Sequence, residues 1–257
     1  MKYLRVRSRH PSHNQLRRVI FLPTKCLLRL GSTTKLRTKY DIEFNSIDGI
    51  IKSSNKLLMK KEFLKVTNKT PKTYIYNGNF VDISDDEVKE PKFPIVAKKK
   101  YGSRGIGMYK ANNEEEFKEL LNRIDSRKYI FEEYTTFTRE YRFHVSQLGI
   151  FHSVRKMLKS EADSRWYRNS DNCVFYLEDN ENYGEIKCIE KLEKTMVDII
   201  NEMGLNIVAF DVRVNKKGDD FKIIEVNSAP SLSHDNSIVA QKYKEHIKKL
   251  YNHLKNK

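Results

Sequence analysis

Cysteine is scarce in this 257-residue chain: Cys26, Cys173 and Cys188 are odd in number and show neither CxxC nor zinc-ligand spacing. That argues against a disulfide framework or a structural metal cluster and makes a reducing compartment the default. No apolar run approaches the roughly 18 to 20 residues needed to span a bilayer. Residues 1–20 also lack the uninterrupted apolar stretch of a secretory signal. The expectation is a cytoplasmic protein without a membrane partner. Glycine and proline are few, ten and six, while 39% of residues are hydrophobic and 32% charged. Such a chain can bury a core as one large domain or two to three intimate lobes, and is no disordered polyelectrolyte.

Acid is missing altogether from residues 1–40. This stretch carries eleven cations, among them Arg5, Arg7, Arg9, Arg17, Arg18 and Arg29, and the first acid is Asp41. The remainder holds 38 cations against 34 anions, so most of the net charge of +15 is local. Three readings stand side by side. The segment is a folded element with a solvated basic face, a surface for nucleic acid or another polyanion, or an organellar transit peptide, which would move the protein out of the cytoplasm. The apolar strings at 19–22 and 26–30 point to buried structure rather than a tail.

Periodicity then gives the order of elements. Residues 47–51 read as a short strand or turn, and 55–66 as a helix capped by Ser53 or Ser54. Residues 72–83 form a hairpin about Asn77-Gly78. PIVAKKK is a strand, followed by the loop YGSRGIG, the strand MYKA and a helix over 113–124. YIFEEY is a strand, REYRFHVS and IFHSVRKM a hairpin, and 159–185 a long functional loop containing Trp166, Tyr167 and Arg168. Ile189–Met203 is a helix stopped by Gly204, NIVAFDVRVN and FKIIEVN a second hairpin, and 236–254 a closing helix. Strand pairs alternating with helices, without regular βαβ units, give an α+β class.

Two units carry chemistry. Glu225 and Asn227 are two apart on a strand and share a face. Asp211 lies on the adjacent strand and can meet them. Three oxygen donors beside a phosphate suit Mg²⁺, with Mn²⁺ as the alternative; the competing reading is a polar hairpin face. The second unit, VAKKKYGSRGIG, places Gly102, Gly105 and Gly107 where backbone N–H groups could wrap phosphates, with Lys98 supplying charge. Taken singly, this is also what a flexible hairpin loop looks like. Lys60, Lys61, Lys99 and Lys100 read as solvated surface charge.

The order Lys56 and Pro71, PIVAK with its glycine-rich loop, FEEY, REYR, then AFDV and IIEVNSAPSL resembles the ATP-grasp superfamily. Within it the chain looks most like the ribosomal-protein glutamate ligases and the D-alanine–D-alanine ligases. The resemblance spans roughly residues 53–245. It implies an ATP-grasp fold: a reduced, basic N-terminal segment over 1–52, an N-lobe over 53–134 and a C-lobe over 135–257. It further implies ATP as cofactor, with Lys56 and Lys98 on its phosphates, Ser103, Arg104, Gly105, Ile106 and Gly107 as the lid, Glu132, Glu133 and Tyr134 as the adenine hinge, and Glu140 at the ribose. Asp211, Glu225 and Asn227 match the metal ligands, and Arg142 faces the transferred phosphate. Arg155 and Arg168 are candidates for gripping an anionic substrate.

The implied activity is ATP-dependent ligation of a carboxylate to an amine, or to a thiol, through an acyl phosphate. The acceptor could be anionic or borne on a polymer. The alternative is a polyanion- or nucleic-acid-binding protein with a regulatory ATP site. Two departures stand out: only about fifty residues precede the helix at Lys56, and Ser231 stands where relatives commonly have glycine.

Overall fold

The computed structural model describes residues 1–8, 10–103, 105–136, 139–162, 165–169, 171–178, 185–232 and 237–256. Three cores organise it. The first 45 residues build two small sheets. β1 (Lys2–Tyr3) pairs with β3 (Phe21–Leu22), and β2 (Arg5–Arg7), β4 (Cys26–Arg29) and β5 (Ile42–Phe44) form a parallel sheet in the order β2-β4-β5. A 3₁₀ turn, Pro11–Leu16, lies between β2 and β3. Leu4, Leu16, Leu22, Leu28 and Phe44 are buried against the C-terminal helix. The basic segment is therefore a folded element, its cations flanking apolar residues that seal a core.

Helices α1 (Ile47–Ser54) and α2 (Lys56–Val66) follow. Residues 47–51, read from sequence as a strand or turn, are helical, because Ser46 caps the Gly49 N–H and opens a separate helix ahead of the one read over 55–66. Asn55, and neither Ser53 nor Ser54, caps α2 by accepting from Leu57 and Leu58. Ser53 and Ser54 instead end α1, each donating to a carbonyl three residues back. The sequence boundary at 52/53 falls inside α1, whose Ile50 shares a core with Met59 and Phe63 of α2.

A five-stranded antiparallel sheet comes next, in the order β7-β6-β10-β8-β9. Its strands are β6 (Thr73–Tyr76), β7 (Phe80–Asp82), β8 (Ile95–Lys99), β9 (Tyr109–Ala111) and β10 (Tyr129–Glu133). α3 (Glu114–Leu121), capped by Asn113, packs Phe117 and Leu120 among Tyr74, Phe80 and Phe131. A second five-stranded antiparallel sheet has the order β13-β12-β11-β14-β15. It contains β11 (Arg139–Ser146), β12 (Gly149–Leu158), β13 (Cys173–Glu178), β14 (Ile207–Val214) and β15 (Phe221–Asn227). α4 (Ile189–Met203) covers one face and ends on Gly204 in the left-handed conformation, while α5 (Ile238–Lys255) closes the chain.

The span 159–185, read as one loop, contains β13. Its pairing with β12 runs from Leu158–Cys173 to Ser153–Glu178 and supplies the order that weak side-chain periodicity hides. Residues 163, 164, 170 and 179–184 of that span lie outside the described residues. No helix among the described residues is long and apolar enough to cross a membrane.

Candidate active site

The two five-stranded sheets and the N-terminal element border one cleft of about 1040 Å³. Its chemistry comes from β8, β10 and α2 on one side and β11, β12, β14 and β15 on the other.

Register explains the C-terminal side. Asp211 pairs with Glu225 across β14 and β15, and with Arg142 across β14 and β11. Arg142 donates Nε to Asp211 Oδ1 at 2.8 Å and Nη2 to Oδ2 at 2.9 Å, and Lys156 donates to Oδ2 at 2.6 Å. Burial alone raises a carboxyl's pKa, but Arg142 and Lys156 hold Asp211 far below the usual carboxylate range. The Arg142 guanidinium is correspondingly pushed up by Asp211. Asn227 Nδ2 donates to Glu225 Oε1 at 3.3 Å. Lys56, at the first position of α2, reaches over to Glu225 Oε2 at 3.5 Å and donates to the Gly102 carbonyl at 3.0 Å.

Asp211 and Asn227 thus each lie beside Glu225, and all three line the cleft. They offer only hard oxygen ligands, a donor set that fits Mg²⁺ better than a thiophilic metal. Among the described residues no three His, Cys, Asp or Glu side chains gather closely enough to hold a metal. The Asn227 amide and a ligand's own oxygens are needed to complete such a shell.

The other side is built around Glu132. Its side chain is 2% exposed on β10 and turns away from the hinge backbone toward two lysines: Lys98 Nζ lies 2.6 Å from Oε2 and Lys60 Nζ 3.3 Å from Oε1. Lys60, read from sequence as solvated, is fully buried. One turn after Lys56 on α2, it points inward and donates to Thr70 Oγ1 and the Ile224 carbonyl, both at 2.8 Å. Burial lowers its pKa to about 8 despite the nearby Glu132 carboxylate. Lys61 is half exposed, as expected of surface charge.

At the hinge, Glu133 accepts from the Tyr74 hydroxyl at 2.8 Å, and the Tyr134 N–H donates to the Pro94 carbonyl at 2.8 Å. Glu140 is buried on β11 and paired with Lys156 at 3.1 Å and Arg213 at 2.9 Å, with Arg168 at 3.7 Å. Burial opposes its ionisation, and Lys156 and Arg213 overcome that opposition.

In the lid, Ser103, Gly105 and Ile106 line the cleft, and Gly105 and Gly107 have positive φ. A Cβ on Gly105 would lie 3.0 Å from the Tyr167 ring, so Tyr167 packs directly against the glycine-rich loop, with Trp166 edge-on beside it. Arg104 lies outside the described residues.

Two placements depart from the sequence reading. Arg155 does not line the cleft; on β12 it points to the face opposite Val154 and Lys156, so Lys156 enters the site in its place. The strand alternation in SVRKM carried that signal, but only once its register to Glu140 was known. Arg213 was also missed: it lies two residues beyond Asp211 on the same face of β14 and closes the cluster by donating to the Thr135 carbonyl at 2.7 Å.

The far end of the cleft is formed by Ser8, His10, Pro11 and Gly31 facing the 228–231 loop. His13 Nε2 lies 2.8 Å from the Pro230 carbonyl oxygen, and the Leu232 N–H donates to Ser12 Oγ at 3.0 Å. The residues that follow β2 and β4 therefore wall this end of the cleft.

Two sheets closing over paired lysines, with a carboxylate-bearing hairpin opposite, define an ATP-grasp fold. A family model described as the RimK-like ATP-grasp domain matches residues 52–247, and the chain belongs to that family, which places it among enzymes of the ligase type.

Solved structures share the fold. The D-alanine–D-alanine ligase from Bacillus anthracis complexed with ATP superposes with a TM-score of 0.59 at 13% identity, covering 88% of this chain and 76% of that one. The VanG D-Ala:D-Ser ligase from Enterococcus faecalis gives 0.61 at 15% identity, covering 88% and 72%. The ATP-grasp ligase PsnB complexed with minimal precursor gives 0.54 at 13%, covering 81% and 64%. No curated protein matches the sequence.

Proposed function

We propose that the protein is an ATP-dependent carboxylate–amine ligase working through an acyl phosphate. The observation that carries this reading is the juxtaposition of Lys56 with Glu225 across the cleft, in a site that also presents Lys98 and the Arg142–Asp211 pair. In this reading residues 53–134 and 135–257 are the two lobes that enclose ATP, and residues 1–52 form a reduced lobe at the acceptor end.

The adenine lies along the hinge at Glu132–Tyr134, with Glu140 toward the ribose. Glu140 is already committed to Lys156 and Arg213, so contact with a ribose hydroxyl uses whatever lone pairs these cations leave. Lys56 and Lys98 neutralise the phosphates, and the lid with Tyr167 above it excludes water. Asp211, Glu225 and Asn227 would hold Mg²⁺, which when bound supplies charge neutralisation at the phosphate oxygens.

A substrate carboxylate oxygen bonds to the γ-phosphorus as the bond to the bridging oxygen breaks, and ADP leaves. The amine nitrogen then bonds to the acyl carbon, phosphate departs and the amine proton is released. Arg142 and Arg168 carry planar donors suited to the equatorial oxygens of the transferring phosphoryl group and to the carboxylate. No side-chain nucleophile is required.

Hydroxylamine supplied with ATP, Mg²⁺ and a panel of carboxylates tests the step: hydroxamate and ADP in equal amounts are expected with the right acid. ATP turnover that no carboxylate or amine stimulates would reject the ligase assignment.

A further inference from the structure

Glu132, Lys98 and Lys60 form a buried triad that joins three elements. Glu132 comes from β10, Lys98 from β8 and Lys60 from α2, and Lys60 also bonds the carbonyl of Ile224, the residue before Glu225 on β15. Lys60 is fully buried and Lys98 is 9% exposed, opening on the cleft. Glu132 Oε1 has no hydrogen-bond partner and meets only the Lys60 ammonium, while Oε2 is taken by Lys98. A carboxylate so far from water would bind a single lysine as a closed, neutral pair. Two lysines on one carboxylate leave the triad with a net charge of +1, and the side facing the cleft belongs to Lys98.

We infer that Lys60 is a positioning residue for nucleotide binding: by satisfying half of Glu132 from behind, it leaves Lys98 with a net positive charge to present to a polyphosphate, and by holding Ile224 it fixes that charge relative to the strand bearing Glu225. The inference rests on the reading of Lys98 as a phosphate-binding residue. It assigns a task to a lysine that touches neither nucleotide nor substrate.

The test ranks variants by triad charge. Binding of ATP, ADP and adenosine is measured at fixed pH and Mg²⁺ for the wild type (+1), Lys60→Met (0) and the double variant Lys60→Met/Glu132→Gln (+1). Lys60→Met is expected to weaken ATP and ADP roughly ten- to hundredfold, the scale of one unit charge about 6–12 Å away at an effective dielectric near 20, and to leave adenosine within about twofold. The double variant is expected to recover most of that loss, which a merely structural role for Lys60 would not produce. The double variant carries the test alone if Lys60→Met loses its cooperative melt, with ATP binding within about threefold of the wild type as the expected result.

Equal loss for adenosine and ATP, or a double variant that binds ATP no better than Lys60→Met or far more weakly than the wild type, would overturn the inference. A wild-type protein that binds adenosine and ATP equally, with or without Mg²⁺, would overturn the nucleotide reading itself and this inference with it.

Discussion

Arg142 grips Asp211 with two parallel hydrogen bonds, Nε to Oδ1 at 2.8 Å and Nη2 to Oδ2 at 2.9 Å. The pair spans adjacent strands, and Lys156 shares the same carboxylate. Arg142→Lys keeps the charge but not the fork, so it should resemble Arg142→Ala rather than the wild type. Both are expected to lower turnover by about two to three powers of ten, the scale of losing one preorganised donor at a developing charge. Steady-state ATP turnover checks it; a lysine variant with near wild-type kcat would show that point charge is sufficient.

Asp211→Ala and Glu225→Ala should each cost several kcal/mol of transition-state stabilisation, on the order of a few powers of ten in rate. Asp211→Ala also takes a carboxylate partner from half-buried Arg142 and from buried Lys156, which is left with Glu140 alone, and this makes it the more destabilising of the two. Glu225 is about one-third exposed and its loss should leave the melting temperature nearly unchanged. Hydroxamate formation and a thermal melt on both variants separate chemistry from folding.

Removal of residues 1–18 should unfold the N-terminal lobe. It takes away Leu4, Val6 and Leu16, all buried, and with them about 5–9 kcal/mol at roughly 1.5–3 kcal/mol per buried side chain. That equals much of a domain's whole stability of about 5–15 kcal/mol. A detachable polyanion-binding arm would instead come off with an unchanged urea midpoint.

Four buried histidines predict acid lability. Burial lowers His13, His152 and His246 to about 4 and takes His144 well below its ordinary value. The folded state keeps them neutral while the unfolded chain takes up protons below about 6.5, so the stability they contribute is fully present above that pH and falls as pH drops toward 4. Each contributes a slope of about 1.4 kcal/mol per pH unit within the window. His152, whose ring nitrogens have no hydrogen-bond partner, is the one to replace. His152→Leu should flatten the loss of urea stability between pH 6.5 and 4.5, and an unchanged slope would count against its being buried neutral.

Gly31 has φ +71°, and a Cβ there would sit 2.7 Å from Ala229 Cβ. Gly31→Ala combines roughly 1–2 kcal/mol of left-handed strain with overpacking of about 1–3 kcal/mol. Differential scanning calorimetry should find the melt lowered by about 4–20 °C, taking 2–4 °C per kcal/mol at this chain length. Substrate binding at the 228–231 loop should weaken more than ATP binding.

The family, the α+β class and most elements were legible because local rules carry them. The shared face of Glu225 and Asn227 follows from strand period, the hairpin reading brings Asp211 to the neighbouring strand, and Gly204 marks the end of α4 by its backbone freedom. What escaped depended on distant partners. Nothing in KLLMKKEF says that Lys60 faces inward while Lys61 faces water; that is fixed by the docking of α2 against β15 and Glu132. Arg155 and Lys156 are adjacent cations, and only the pairing of β12 with β11 decides which one enters the cleft. β13 was hidden for the same reason, since its order comes from β12 rather than from its own pattern.

His13 on Pro230, Ser12 beneath Leu232 and Gly31 against Ala229 make the first thirty-one residues a mould for the 228–232 segment. The lysine triad and the Asp211–Glu225 pair come from other stretches of chain. The path of that segment is thus set jointly by β15, which it leaves, and by residues more than two hundred positions earlier.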